Sequence, residues 1–175
     1  MIKTIRLFLE PVKAAHAAKM FQGLQDERAY RFLQDGPPES IEQLRAKYAL
    51  LSGQISPNGQ EIWLNWMCKR RGEEFYVGYV QATVFKSDRT AQIAYHFFPA
   101  FWGKGLAREA VKAMIGAIGP LYQLREIRAY VDKRNHRSIR LVEALGFLLA
   151  KTVLSEETPG GVEVEECLYV LPLEV

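Results

Sequence analysis

Apolar and polar positions along the 175-residue chain follow two different periods. Three consecutive segments, Glu61–Cys68, Glu74–Phe85 and Ala91–Phe98, carry apolar runs rich in β-branched and aromatic residues, which are typical of β-strands. From Leu106 to Ile118 the apolar residues recur at helical spacing, which predicts one broad face of an amphipathic helix. Gly119-Pro120 follows, and a glycine cap with a proline behind it predicts that this helix ends there.

Similar patterns predict the elements on either side. Thr4–Leu9 alternates like a short strand, and the alanine-rich segment Val12–Leu24 predicts a helix after it. Ser40, followed three residues later by Gln43, forms a capping-box pattern that predicts the start of a second helix. The last expected elements are a strand at Glu126–Val131, a short helix at Ser138–Leu145, and two strands, Phe147–Leu154 and Val162–Leu171, joined by Pro159-Gly160-Gly161.

Composition and charge restrict the class of protein. The length suits one domain spanning residues 1–175, and 49% apolar with 25% charged residues is typical of a soluble globular protein. A small, dispersed net charge of +3 argues against a nucleic-acid partner. We expect no membrane partner and a cytoplasmic location, because the chain lacks both a long uncharged apolar stretch and the layout of a signal peptide. Cys68 and Cys167 lack a partnering Cys or His motif, so we expect neither a metal site nor a disulfide.

A glycine loop, Gly103-Lys104-Gly105, stands between a predicted strand and the amphipathic helix. The first N–H groups of a helix have no partner within it, and the helix dipole adds partial positive charge there, so such a loop suits a phosphate. Lys104 and Arg108 add formal charge. A Walker loop would need Ser or Thr at Leu106, and a dinucleotide fingerprint would need glycine at Arg108. The loop therefore predicts a pyrophosphate site of another kind.

A second motif runs from Asp132 to Phe147. Asn135 suits a helix cap, and Gly146 suits the left-handed residue that ends a helix. The apolar residues between them form a buried stripe. Helix formation explains most of this segment, but it does not require the polar ends of Asn135 and Ser138.

Both motifs together resemble the Gcn5-related N-acetyltransferases (GNAT). Trp102–Ala107 is similar to the family's coenzyme A pyrophosphate loop, Gln/Arg-x-x-Gly-x-Gly/Ala, with Trp102 departing from the usual first residue. Asn135–Phe147 matches the family's Asn-x-x-Ala/Ser helix that ends in Gly-Phe. The sequence around the loop is most similar to the Rim-type branch, which acetylates the amino termini of ribosomal proteins. The resemblance covers nearly the whole chain and implies an α/β (α+β) fold, with a mixed, largely antiparallel central sheet flanked by helices.

The resemblance implies a cofactor, acetyl-CoA, which leaves as coenzyme A. It also implies that Asn135 binds the pantetheine and that a hydroxyl on the same helix approaches the sulfur. Many relatives carry a tyrosine for this at the position of Val142, and here Ser138, one helical turn earlier, can take the role. Main-chain groups of the strand Tyr95–Phe98 are expected to hold the thioester. The expected cofactor-binding residues are Phe97, Phe98, Gly103, Lys104, Gly105, Leu106, Ala107, Asn135 and Ser138.

The resemblance further implies that a primary amine attacks the thioester directly, so the amine must be neutral. Three residues are candidates for its base: His96, Glu61 and Asp132. We take His96 and Ser138 as the catalytic candidates. The reference pKa of histidine suits a base that accepts a proton from the amine, and Ser138 is the hydroxyl expected near the sulfur. The aromatic segment Tyr30–Leu33 either fills the core or lines the acceptor pocket, as the resemblance implies for the connection between the first two helices. Five glutamates near the last hairpin either attract a cationic amine or are simply solvated: Glu156, Glu157, Glu163, Glu165 and Glu166.

Several alternatives stay open at this point. The acceptor is either a protein amino terminus or a small amine, such as an amino acid, a polyamine or an aminoglycoside. From another class, the domain is a non-catalytic module that binds acyl-CoA as a sensor. A nucleotide-binding interaction domain is disfavoured, because neither nucleotide motif fits. The sequence also leaves a homodimer open.

Overall fold

The computed structural model describes residues 1–33, 35–155 and 164–173. The strands are β1 Ile2–Lys3, β2 Leu7–Pro11, β3 Glu61–Arg70, β4 Tyr76–Phe85, β5 Thr90–Phe97, β6 Glu126–Asp132, β7 Leu148–Ser155 and β8 Val164–Pro172. The α-helices are α1 His16–Met20, α2 Ile41–Leu51, α3 Leu106–Leu121 and α4 His136–Glu143. Short 3₁₀ helices lie at Gln22–Gln25, Glu27–Tyr30 and Pro99–Phe101. In these parts of the chain, no helix is long and apolar enough to cross a membrane.

Within the described residues, eight strands form one sheet in the order β1-β2-β3-β4-β5-β6-β8-β7. Neighbouring strands run antiparallel except β5 and β6, which run parallel. The sheet is therefore mixed and largely antiparallel, as predicted.

β5 and β6 pair over a short distance and then separate. Among the described residues their pairing covers Thr90–Gln92 with Glu126–Arg128. Beyond it, Ile93–Phe97 still pairs with β4 on one side. We call the gap on the other side, between Ile93–Phe97 and the end of β6, the wedge.

Helices cover both faces of the sheet, and strand alternation sorts the side chains between them. Along β3, Leu64, Trp66 and Cys68 belong to the apolar cluster that includes residues of α3 and α4. Met67 belongs to the cluster that includes residues of α1 and α2. The site described below therefore has a different pair of helices on each face of the sheet.

Predicted helix boundaries are wrong at α1 and α3, and α4 is His136–Glu143 where Ser138–Leu145 was expected. The helix expected at Val12–Leu24 is only His16–Met20 followed by a 3₁₀ turn, because the Val12 N–H donates to the Asn65 carbonyl at 2.9 Å and keeps that segment beside β3. At the other boundary, α3 continues through Gly119-Pro120 to Leu121. Gly119 does not take up the left-handed conformation, and a proline in the last turn removes only one helical hydrogen bond.

The capping-box prediction is confirmed at α2. The Ser40 hydroxyl accepts the Gln43 N–H at 3.1 Å, and the Gln43 side chain accepts the Glu39 N–H at 3.0 Å. The two bonds fix the entry into α2, which lies over the sheet beside the cavity described below.

Candidate active site

The glycine loop lies between the end of β5 and the start of α3. Gly103 and Gly105 are both left-handed, with φ of +74° and +71°, and Gly105 caps α3. Residues other than glycine rarely adopt that conformation, so both positions favour glycine. Residues 103–105 are exposed, whereas Leu106 is buried and fixes the first turn. The loop therefore presents the unpaired N–H groups of a 16-residue helix to solvent.

The amino-terminal segment holds this loop through Glu109, in the first turn of α3. The Glu109 carboxylate accepts the Thr4 hydroxyl at 2.6 Å, the Arg6 backbone N–H at 2.8 Å and the Arg6 guanidinium at 2.6 Å. Another guanidinium nitrogen of Arg6 donates to the Lys104 carbonyl at 2.9 Å. Burial opposes the charge of Glu109, yet these bonds outweigh it and hold its pKa below the ordinary value. We call Thr4, Arg6 and Glu109 the latch.

Trp102, which replaces the usual polar residue of the loop motif, joins three elements. Its indole Nε1–H donates to the Phe97 carbonyl at 2.6 Å, at the end of β5. The Arg137 guanidinium, from the first turn of α4, lies 3.9 Å from the centre of the Trp102 ring. This cation–π contact brings a positive charge beside the glycine loop, although Trp102, at the first position of the loop motif, is itself uncharged.

The main chain of β5 is available on the side of the wedge. The Phe98 N–H donates to the Val77 carbonyl at 3.0 Å, so alternation along an antiparallel pair turns the Tyr95 and Phe97 N–H groups away from β4. The Phe97 and Phe98 side chains are buried, and Phe98 lies against Gly23. Phe97 therefore offers its backbone N–H to the wedge, whereas its carbonyl accepts from Trp102 and the N–H of Phe98 is already engaged.

Gly78 lets β4 approach β5 at this point. Its φ is +152°, and a Cβ there would lie 2.2 Å from the His96 carbonyl oxygen and 2.7 Å from the Phe97 Cα. The pairing of β3 with β4 shifts register at the same place, between Cys68 and Lys69. Bulges of this kind bend a strand and are frequent beside active sites.

α4 begins across the wedge from β5. Its cap is Asn135, whose side-chain oxygen accepts the Ser138 N–H at 3.1 Å, as predicted from the sequence. The Ser138 hydroxyl lies 2.5 Å from the Tyr95 hydroxyl. Val142, at the position where many relatives carry tyrosine, is fully buried in the core. Tyr95 and Ser138 thus place two hydroxyl groups at the wedge.

A cavity of about 770 Å³ lies on the face of the sheet covered by α1 and α2. Its size is that of a small-molecule site. The His96 ring lies between the rings of Tyr30 and Tyr79, with centroids 5.0 and 5.2 Å away. Tyr95 also lines the cavity, so the cavity and the wedge share a residue. Other lining residues include Phe32, Leu33, Tyr48, Asn65 and Glu166.

A groove of about 820 Å³ is lined by the glycine loop and continues along α3. Its lining carries several cationic side chains and one carboxylate, that of Glu109. The cations are Arg6, Lys104, Arg108 and Lys112. The excess of positive charge suits a polyanionic ligand.

Comparison with known proteins decides the family. A family model described as "Acetyltransferase (GNAT) domain" matches residues 6–148. The chain belongs to the GNAT acetyltransferase family. The predictions of this family, of its fold and of an acetyl-CoA-dependent acetyltransferase domain are therefore confirmed.

Solved GNAT structures share the fold. An acetyltransferase from Salmonella typhimurium that modifies the N-terminal serine of ribosomal protein L7/L12 has a TM-score of 0.82 at 15% identity, over 98% of this chain and 97% of its own. Spermidine N-acetyltransferase from Vibrio cholerae, in complex with CoA and spermine, has a TM-score of 0.77 at 17% identity, over 95% of each chain. At these identities the likeness shows the fold alone.

A curated relative also matches in sequence. The uncharacterized protein YkkB of Bacillus subtilis is 28% identical over 104 residues, which are 59% of this chain. The match spans 60% of YkkB, less than two thirds of that protein's length.

The three candidate bases of this GNAT domain lie in different surroundings. His96 lines the cavity; it is 5% exposed, and burial lowers its pKa to about 4. Asp132 binds the Arg134 guanidinium through both oxygens, at 3.0 and 2.7 Å, and these bonds hold its pKa below the ordinary value. Glu61 pairs with Phe85 at the start of β3, and it lies four positions, or roughly 13 Å along the strand, from Asn65, which lines the cavity. Of the three, His96 is the one that faces the cavity.

The remaining predicted residues of the GNAT site divide between the cavity and other surfaces. Tyr30, Phe32 and Leu33 line the cavity, as the acceptor prediction requires. Glu165 pairs with Lys133 at 2.8 Å, while Glu166 lines the cavity. Three other glutamates and the hairpin turn of the prediction lie outside the described residues: Glu156, Glu157, Glu163 and Pro159-Gly160-Gly161.

Sequence reasoning missed several residues that shape this GNAT site: Arg6, Gly78, Tyr95 as a side chain, and Arg137. An isolated glycine inside a strand pattern is a known sign of a bulge or a close approach, so Gly78 carried a usable signal. The other three act through contacts between distant segments, for which one sequence offers no signal.

Proposed function

We propose that the protein transfers the acetyl group of acetyl-CoA to a primary amine. The observation that carries this proposal is the wedge. The glycine loop, the outward N–H of Phe97 and the Ser138 hydroxyl all lie around it, and Tyr95 links it to the cavity. One opening can therefore bring a thioester and an amine together, which is the main requirement of direct transfer.

Each part of the site has a separate role in this proposal. The N–H groups of the glycine loop, with Lys104 and Arg108, hold the pyrophosphate, and the cationic groove holds the remaining phosphate charge. Bound acetyl-CoA supplies the thioester. The outward N–H of Phe97 is the donor for the pantetheine arm or the thioester oxygen, and Ser138 donates a hydrogen bond to the departing sulfur. Buried Cys68, whose thiol pKa is raised by burial, takes no part.

The acceptor is an amine that enters through the cavity. Two structural relatives act on such groups, the amino terminus of a ribosomal protein and spermidine, which supports this class of acceptor. His96, with a pKa of about 4, is a weak base, so most of the neutral amine must come from the acceptor's own equilibrium. An α-amine of pKa near 7.8 is neutral in about one molecule in seven at pH 7. Deprotonating an alkyl amine of pKa near 10.4 at the same pH costs roughly 4.6 kcal/mol.

Thiol release from acetyl-CoA, measured against a panel of spermidine, small diamines, amino acids and amino-terminal peptides, tests the proposal. We expect release that depends on the acceptor. For the preferred amine, kcat/KM should rise with pH up to the pKa of that amine, which identifies an α-amine or an alkyl amine. Tight cofactor binding with no release on any acceptor would favour a sensor module instead.

The glycine loop is tested by Gly105→Asp, which places a carboxylate beside the proposed phosphates. Calorimetric titration of CoA should show at least a hundredfold loss of affinity, since a repulsive charge replaces open backbone. Gly59→Asp is a matched control, because Gly59 is also left-handed, with φ of +71°, but lies in the loop before β3. Equal CoA affinity in the two variants would contradict the assignment of the loop.

A further inference from the structure

Tyr95 makes a contact that the proposed roles do not yet explain. It belongs to the part of β5 that faces the wedge, and its side chain reaches across to α4. There the Tyr95 hydroxyl lies 2.5 Å from the Ser138 hydroxyl and 3.4 Å from the Ser138 carbonyl oxygen. The two residues are 43 positions apart in the sequence, so the contact depends on the tertiary fold.

Ser138 alone is poorly placed to give a directed hydrogen bond. A serine hydroxyl rotates freely, so nothing within Ser138 itself fixes the direction of its proton. The position that carries tyrosine in many relatives is Val142, which is fully buried here. Something must therefore direct the Ser138 proton toward the wedge.

Tyr95 can supply that direction. A phenol is a stronger acid than an aliphatic alcohol, so in this pair the Tyr95 O–H is the favoured donor and the Ser138 oxygen the acceptor. Burial, offset in part by the bond to Ser138, raises the pKa of Tyr95 to about 12, so the phenol keeps its proton at neutral pH. When Ser138 accepts from Tyr95, its own proton is left for another acceptor, and a chain of hydrogen bonds strengthens each member.

We propose that Tyr95 is a positioning residue that orients the Ser138 hydroxyl toward the departing sulfur. The inference rests on the proposed role of Ser138. No covalent step involves Tyr95: its proton stays on the phenol oxygen, and only the Ser138 O–H faces the sulfur.

The test is Tyr95→Phe, which removes one oxygen and keeps the ring. We expect the single-turnover rate of acetyl transfer to fall about tenfold, the worth of one hydrogen bond of roughly 1.4 kcal/mol, while the Kd for acetyl-CoA stays within twofold. In a Ser138→Ala background the same change should have no further effect, because the group that Tyr95 orients is gone.

Tyr169→Phe is the matched control. The Tyr169 hydroxyl also binds α4, donating to the Glu143 carboxylate at 3.2 Å, but it does not contact Ser138. We expect this variant to keep the full transfer rate, and both tyrosine variants to melt within a few degrees of each other.

The outcomes separate the two proposals. Full activity of Tyr95→Phe together with a slow Ser138→Ala would overturn the role of Tyr95 and leave that of Ser138 intact. Full activity of both would remove Ser138 from the proposed function as well. A loss that persists in the Ser138→Ala background, or one seen mainly in cofactor affinity, would also overturn the inference, since Tyr95 would then act without Ser138.

Discussion

His96 shows how burial changes the chemistry of a single residue. Its ring stacks on that of Tyr79 and contacts the tilted ring of Tyr30, and its Nε2 atom is buried with no hydrogen-bond partner among the described residues. Burial therefore disfavours the charged form and lowers the pKa of His96 from 6.5 to about 4. In the unfolded chain the residue regains its ordinary pKa, so His96 links stability to pH.

This linkage predicts the sign of an acid effect. Between pH 6.5 and pH 4 the unfolded state binds the proton and the folded state does not, so stability falls as the pH falls. From pH 7.5 to pH 5, His96 should remove about 2 kcal/mol from the free energy of unfolding. His96→Phe, which keeps an aromatic ring, should lack that part of the loss.

Urea unfolding of the two proteins at pH 7.5 and pH 5 measures this difference, and other titrating groups, such as His16, cancel in it. His136→Phe is the control, because His136 is exposed at the start of α4. If wild type and His96→Phe lost the same stability on acidification, His96 would not be buried in its neutral form.

At the scale of residues, the sequence predicted which residues have local roles at the site, but not which distant residues they contact. Gly103, Gly105 and Asn135 have the backbone or capping roles that their residue types favour. The partners of Ser138 and Trp102 could not be predicted. Tyr95 and Arg137 reach them across a gap between strands, and no local pattern records such a contact.

The elements around the wedge depend on the close approach of β4 and β5. Gly78→Ala would place a methyl group within 2.2 Å of the His96 carbonyl oxygen, and backbone cannot move aside as a flexible side chain can. We expect the variant to lose about 2–4 kcal/mol of stability, and its CoA affinity to fall as the Phe97 main chain shifts.

Gly72→Ala separates this clash from simple backbone strain. Gly72 has a similar requirement for positive φ, at +78°, but a Cβ there meets nothing within 4 Å. Its loss of stability should be about 1 kcal/mol, with unchanged CoA affinity. Urea unfolding and CoA titration of both variants provide the comparison, and equal behaviour would contradict a special role for Gly78.

At the scale of elements, periodicity was sufficient for the long strands and for α3, because burial on one face controls both. It failed for α1, where a backbone bond from Val12 to Asn65 prevents an early start of the helix. The wedge could not be predicted at all. It arises because β6 pairs with β5 at only one end, and the strand patterns in the sequence do not record where that pairing stops.

Across the whole molecule, the latch joins the first strands to the cofactor loop. Glu109→Gln would remove the charge that accepts three hydrogen bonds, so we expect a loss of about 1–3 kcal/mol at pH 7 and a weaker affinity for CoA. The lowered pKa of Glu109 means that its stabilisation is present above its ordinary value of 4.5 and disappears as the pH falls through the folded pKa. The difference between variant and wild type should therefore shrink in acid.

Glu126→Gln is the control for the loss of a surface charge. Glu126 binds Arg128 at 2.6 Å on β6, and exposed pairs of this kind contribute at most about 1 kcal/mol. Urea unfolding at pH 7 and at about pH 3, with CoA titration at pH 7, compares the two variants. An unchanged CoA affinity in Glu109→Gln would mean that the latch does not shape the loop.

The latch also bears on the order in which the chain folds. Its contacts join residues 98 to 105 positions apart, so they close very long loops of chain, at an entropic cost that local contacts avoid. α3 can form from its own sequence well before Thr4 and Arg6 reach it. During refolding, CoA affinity should therefore recover later than the helical circular dichroism signal. Its recovery would report when the segment that carries Thr4 and Arg6 packs against α3.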